Sequence, residues 1–227
     1  LAALVDPART VLVTQECQNG VIGVDAALPQ LAEVARRRMI PNGARLTTAA
    51  RAAGVPVLHC VAMRRDDGKG SNHNARLFLG RLKNAVPLRP GSAAVDVIPE
   101  LGVQDSDLVL SRLHGLSPMA GTDLDPIVRN LGATTIVGIG VSVNIAMLNF
   151  AFDAVNAGYQ FVMPRDAVAG IPEDYAEAVL DNTLSLVATR SSGRAKSPSA
   201  GSLLTNTACP ATGAPPTPSP SRTCSVS

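Results

Sequence analysis

Residues 134–159 read TTIVGIGVSVNIAMLNFAFDAVNAGY. The run Thr134–Gly140 places apolar, mostly β-branched side chains at successive positions, the pattern of a strand covered on both faces. A tight turn follows, and Val143–Ala157 is almost wholly apolar at helical length. A strand that feeds directly into a buried helix is half of a β-α-β unit, and it predicts a parallel sheet.

The same alternation extends outward in both directions. Strands are predicted at Thr10–Gln15, Val55–Val61, Asp107–Arg112 and Gln160–Pro164, with a weaker sixth at Leu186–Thr189. Between them, Leu46, Ala49, Ala50 and Ala53 stand at i, i+3, i+4, i+7, and Ala176, Leu180, Leu184 and Val187 repeat at helical spacing. Helices also fit Ser71–Lys83 and Asp123–Leu131. The expected fold is α/β: an open, mostly parallel, doubly wound sheet of six strands with helices on both faces. In such sheets ligands bind beyond the carboxyl ends of the strands, near the switch in strand order. That rule selects Gln15–Asn19, His59–Arg65, Arg112–Ser117, Gly140–Asn144 and Arg165–Ala169.

Composition bounds the rest. The 227 residues are 46% hydrophobic and 17% charged, enough apolar material for one domain with a real core. Residues 1–189 hold 16 Lys/Arg against 18 Asp/Glu, so the body is mildly acidic and no nucleic-acid partner is expected. No apolar run reaches membrane-spanning length, and LAALVDPART lacks the pattern of a signal peptide, so no membrane association and a cytoplasmic location are expected. Cys17 and Cys60 lie in apolar strand-like runs and Cys209 and Cys224 in the tail, which does not suit a disulfide framework. Within residues 190–227, 23 of 38 are Pro, Ser, Thr or Gly and none is acidic. Such a segment cannot bury enough apolar surface to offset its ordering entropy, so the domain is expected at 1–189 and a disordered tail at 190–227. The abrupt onset is what a shifted reading frame would produce. Resequencing the DNA around codon 189 tests that.

Chemistry-bearing residues fall at three strand ends. After the first strand comes TQECQNG, where Glu16 follows a largely apolar run beside Gln18 and Asn19. A carboxylate buried there must be paired or protonated, and either state suits a proton carrier. The alternative is a structural cap of the next loop. The third strand ends SRLHG, which brings Arg112 to the same sheet edge as a partner for Glu16 or for an anionic substrate. At the end of the fourth strand, the amides around Ser142–Ala146 begin a helix at the cleft and can stabilise an anion.

The order ECQN, SRLHGLSPMAGTDLD, GVSVNIA and DAVNAGY resembles the isochorismatase-like (cysteine hydrolase) superfamily over roughly residues 8–189. The resemblance implies the same doubly wound fold. It also implies a triad of an Asp after strand one, a Lys after strand three and a Cys in the helix turn after strand four. In this sequence Glu16 stands at the Asp position, Arg112 at the Lys position and Ala146 at the Cys position. A methyl group cannot attack a carbonyl, so the covalent route implied by the family is closed at this position. Isochorismatases, which lack the cysteine, are similar in that respect: they cleave a vinyl ether by proton donation from the strand-one acid, which needs no nucleophile. Val141–Ser142 matches the point where the family carries a non-proline cis peptide.

Gln18, His59, His114, Ser142 and Asn144 are the candidate substrate contacts; for each histidine a structural hydrogen bond is the competing role. Arg64, Arg65 and Asn74 are loop residues within reach of a ligand, with solvated surface as their alternative. Asp66, Asp67 and His73 do not reproduce the spacing of the family's metal-dependent nicotinamidases, so neither metal nor other cofactor is expected. The leading expectation is a hydrolase of a small organic molecule with water as the attacking group, and a homo-oligomer. A catalytically silent relative that binds a ligand or serves assembly is the second, and an amide hydrolase with an unrecognised nucleophile the third.

Overall fold

A computed structural model describes residues 5–81 and 86–191; the tail expected at 190–227 lies outside the described residues from 192 onward. β1 (Thr10–Gln15) is followed by a short α1 (Asn19–Ile22), α2 (Pro29–Val34) and α3 (Ile40–Ala52). A π-helical turn, Ala35–Met39, joins the last two just before Pro41, which lacks the N–H that a regular helix would require. β2 (Val57–Ala62), α4 (Arg76–Arg81), β3 (Leu108–Arg112), α5 (Leu124–Asn130) and β4 (Thr135–Val141) come next. A second π-helical turn, Val143–Met147, opens α6 (Leu148–Asn156); β5 (Gln160–Pro164), β6 (Val168–Ala169), α7 (Glu173–Asn182) and β7 (Thr189–Ser191) complete the domain.

Six strands lie in the order β3-β2-β1-β4-β5-β7, and the two-residue β6 pairs beside the end of β4. Every strand pair is parallel. Strand order reverses between β1 and β4, so the carboxyl ends of those two strands border the switch point.

Alternation along each strand divides the core. Val11 and Val13 of β1 join Ile136, Phe150 and Phe161 beneath α5, α6 and α7. Leu12 points the other way, to Ala50, Val57 and Val137 beneath α3. Helices therefore cover both faces, as the apolar runs predict. Gly138 admits the Phe161 ring, which meets Phe150 edge-on at 4.9 Å.

Three expectations are corrected. The sixth strand is not Leu186–Thr189: Leu184–Leu186 is a 3₁₀ turn with Leu184 buried and Leu186 exposed, and pairing to β5 starts only at Thr189. The helix expected at Ser71–Lys83 is described as helix only over Arg76–Arg81, and residues 82–83 lie outside the described residues. Its first part is loop, where Asn72 Oδ1 accepts the Gly115 N–H at 2.8 Å and ties the loop to the segment after β3. β3 is not covered on both faces: it forms the sheet edge, with Leu108 40% and Val109 51% exposed.

Candidate active site

The chain leaves β1 through Glu16 at φ +52°, the single described non-glycine residue in the left-handed region. Such a backbone costs of order 1–3 kcal/mol and persists only where its surroundings fix it. Three contacts do so. Glu16 N–H donates to Cys60 O at 2.9 Å, Ile98 N–H to Cys17 O at 3.0 Å, and Gly140 packs directly on the Gln15 carbonyl. The turn brings the Glu16 carboxylate against Arg112, the last residue of β3.

Arg112 Nη2 donates to Glu16 Oε1 and, at 3.2 Å, to Leu116 O. Both side chains are buried, 3% and 7% exposed. Arg112 Nε and Nη1, equally buried, have no partner among the described residues. This pair lines a cavity of about 500 Å³ at the carboxyl ends of the strands.

Beyond β4 the Val141–Ser142 peptide is cis. Ser142 Oγ donates to Asn144 Oδ1 at 2.6 Å, and Asn144 Nδ2 donates to Ile171 O at 3.2 Å. These bonds fix the helix start against the loop before α7. Ala146, inside the π-helical turn, is 4% exposed and presents its methyl group to the same cavity. Ser142, Asn144 and Ile145 also line it, which sets the positive end of the helix dipole at its wall.

The structure thus brings Glu16, Arg112, His114, Ser142, Asn144 and Ala146 to one cavity. His114 is at the exposed rim, with Nε2 3.3 Å from Gly121 O. Two candidates go elsewhere. Gln18 is fully buried and spends its amide on the backbone: Nε2 donates to Ala62 O and Ala94 O, and Oε1 accepts the Ala62 N–H at 2.7 Å. It ties the ends of β1 and β2 together.

His59 points to the α3 side of the sheet, where Asp107 Oδ2 lies 3.3 Å from Nε2 and Thr14 Oγ1 2.9 Å from Nδ1. A carboxylate only accepts, so Nε2 carries the hydrogen and Nδ1 accepts from Thr14. Burial lowers the His59 pKa below 6.5 in spite of the opposing Asp107. Burial alone would raise Asp107, but Arg51, which grips it at 3.1 and 2.7 Å, holds it below the usual carboxylate range.

The segment Arg165–Ala169 likewise stays out of the cavity, because Arg165 is held by Glu177 and Asp181 of α7. Arg64 and Arg65 do line it; Asn74 does not. What sequence reasoning missed is the apolar wall, built from Leu28, Leu31, Leu77, Phe78, Pro87 and Leu88. Most of these residues lie in loops and short helices without a periodic pattern, and their signal is only the apolar residues of ALPQL and VPL between polar stretches.

The body cysteines are close to Glu16 and Arg112 but turn their thiols into the core. Cys17 packs with Ile22 and Met39, and burial, then the nearby Glu16 charge, pushes its thiol up. Cys60 sits in the opposite core layer, its thiol pushed up to about 12 by burial. Neither lines the cavity, and neither is poised as a thiolate. Among the described residues no group of three His, Cys, Asp or Glu is arranged to hold a metal ion, and no helix is long and apolar enough to cross a membrane.

Residues 10–193 match the isochorismatase domain family. The chain is 26% identical over 185 residues to YwoC of Bacillus subtilis strain 168, an uncharacterised isochorismatase family protein, covering 78% of this chain and 86% of that one. A cysteine hydrolase from Pseudomonas syringae pv. phaseolicola 1448A has a similar structure, with TM-score 0.70 and 24% identity over 82% of this chain and 90% of that one. An isochorismatase family protein from Burkholderia thailandensis matches with TM-score 0.65 and 27% identity, over 82% and 92% of the two chains.

Proposed function

Because the chain belongs to the isochorismatase domain family, a family of hydrolases, we propose that it hydrolyses a small organic substrate without a protein nucleophile, in the cytoplasm. The observation that carries this reading is the meeting of Glu16 and Arg112 in a cavity to which Ala146 adds only a methyl group.

On a vinyl ether, Glu16 gives its proton to the vinyl carbon, water adds to the resulting oxocarbenium ion, and the hemiketal so formed collapses to a carbonyl as its C–O bond breaks and the hydroxyl proton leaves with the departing alcohol. The proton released by that water restores Glu16, so no covalent enzyme intermediate forms. On an amide or ester the same carboxylate takes a proton from the attacking water and passes it to the leaving group. Arg112 stays charged throughout. It therefore acts by fixing the Glu16 oxygen and by offsetting charge, not by relaying a proton. The amides at the start of the helix face the position where a substrate oxygen gains charge.

The test is a turnover screen of vinyl ethers, amides and esters with the wild type, Glu16→Gln and Glu16→Asp. Glu16→Gln is expected to lower turnover by about 10²–10⁴-fold with an unchanged circular dichroism spectrum. Glu16→Asp, which keeps the charge, should retain part of the rate. Turnover indifferent to Glu16→Gln would sink the mechanism.

A second reading is a silent, ligand-binding relative. It is favoured by Ala146 and by the two acceptors, Glu16 and Leu116 O, that already hold Arg112 Nη2. A tight ligand with no turnover in any class would select it. The proposal includes a homo-oligomer, supported by exposed Leu108 and Val109 on β3 and Phe152 and Val155 on α6.

A further inference from the structure

Gln15 stands immediately before Glu16, yet it does not line the cavity. It is fully buried, on the face of β1 that Val11 and Val13 give to the apolar layer beneath α5, α6 and α7. Its strand partners are Cys60 of β2 and Gly140 of β4. A primary amide is costly in such a layer, and here its Oε1 is buried with no hydrogen-bond partner among the described residues. An apolar side chain of similar volume would suit the packing better. The amide makes one hydrogen bond among the described residues: Nε2 donates to Leu116 O at 3.2 Å.

That same carbonyl is the second anchor of Arg112. Nη2 donates to Glu16 Oε1 and, at 3.2 Å, to Leu116 O, whereas Nε and Nη1 have no partner among the described residues. One nitrogen with two hydrogens therefore sets the orientation of the whole guanidinium. Its bond to Glu16 alone would let the group swing about the carboxylate oxygen; the bond to Leu116 O stops that rotation. The carbonyl belongs to a loop that turns through Gly115 at φ +76°. Asn72 Oδ1 accepts the Gly115 N–H at 2.8 Å, and Gln15 Nε2 takes hold of the carbonyl of the next residue.

We propose that Gln15 is a positioning residue: it fixes the Leu116 carbonyl and, through it, the orientation in which Arg112 holds Glu16. Gln15 and Glu16 are consecutive, so the acid and its cation are both held from the end of β1. A polar residue that weakens the core while it aligns a functional pair is a mark of a supported site. The kinetic consequence rests on the hydrolase reading, which this deepens by naming a residue behind the reacting pair.

The test begins with the full chain labelled with ¹⁵N-arginine and observed by NMR in the cold, where signals absent from Arg112→Lys belong to Arg112. In the wild type the two Nη2 hydrogens are expected to give separate resonances, because each is bonded. Gln15→Met removes the donor at similar volume. Gln15→Asn keeps an amide but draws it back by one methylene. In both variants rotation about Cζ–Nη2 should quicken about tenfold and the two resonances merge. Gln15→Met should also leave Tm unchanged or raise it, since the orphaned oxygen is gone. On a substrate that turns over, it should lower kcat about tenfold with KM unchanged, because Gln15 does not reach the cavity. A merely structural residue would do the opposite, lowering Tm and leaving the Arg112 resonances apart.

Averaged Nη2 hydrogens in the wild type, separate resonances that persist in both variants, or loss of the fold in both would each overturn the proposal. Merged resonances together with turnover indifferent to Glu16→Gln would leave it standing while the hydrolase mechanism falls. Turnover that needs Glu16 but keeps its full kcat in Gln15→Met would do the reverse.

Discussion

At Ala146 the cavity wall is a methyl group, whereas the thiols of Cys17 and Cys60 are sealed in core layers. Accessibility and not sulfur content thus decides what can react. Ala146→Cys should be carbamidomethylated by iodoacetamide in the native protein well before Cys17 or Cys60. Peptide mass spectrometry separates position 146 from Cys209 and Cys224, and labelling there no faster than at Cys17 would refute the placement.

His59 tests a different residue-level claim. Its folded pKa lies below the ordinary 6.5, because burial opposes the charge. As pH falls through 6.5 the unfolded chain takes up a proton before the folded one does. Stability is therefore full above 6.5, declines as pH drops towards the lower folded value, and loses nothing further from this group beneath it. His59→Gln should show a smaller fall in Tm between pH 7.5 and pH 5 than the wild type, measured by thermal melts. An equal fall would mean that His59 is not held neutral.

At the scale of elements, β4 and the helix that follows it control the site through two glycines. Gly140, at φ +124°, lies where an added Cβ would fall 2.2 Å from the Gln15 carbonyl, one residue before Glu16. Only glycine lets β4 approach the end of β1 so closely. At Gly138 an added Cβ would fall 2.3 Å from the Phe161 ring. Gly138→Ala must push that ring off Phe150, and is expected to cost about 1–3 kcal/mol by overpacking. A denaturant melt showing no loss would contradict the described packing. The π-helical turn Val143–Met147 is a further element-level feature, since it sets the phase at which Ala146 meets the cavity.

For the whole molecule, the sheet ends on one side in β3, an edge with exposed apolar side chains and, among the described residues, no strand beyond it. Edges of this kind are usually covered or charged in a protein that remains monomeric. Light scattering of the full chain is expected to give a multiple of the monomer mass of 23.4 kDa, and Val109→Lys to lower it. A monomeric mass for the wild type would remove the homo-oligomer from the proposal.

The strand and helix alternation was legible because period and length are local properties. Thr134–Gly140 announces a covered strand wherever it is read, and the order of such segments leaves few topologies. That Glu16, Arg112 and Ala146 share one cavity was also legible, since each sits at a strand or helix terminus that the topology sends to one edge. Tertiary structure alone decided which polar groups were left free. Gln18 and His59 lie at strand ends or near them just as Glu16 does, yet backbone carbonyls, Asp107 and Thr14 consume their hydrogen bonds. Arg64 and Arg65 are identical neighbours in sequence, and only the position of Asp67 makes Arg65 a paired surface group. A hydrogen bond or ion pair depends on ångström distances between residues far apart in the chain, and no periodicity encodes those.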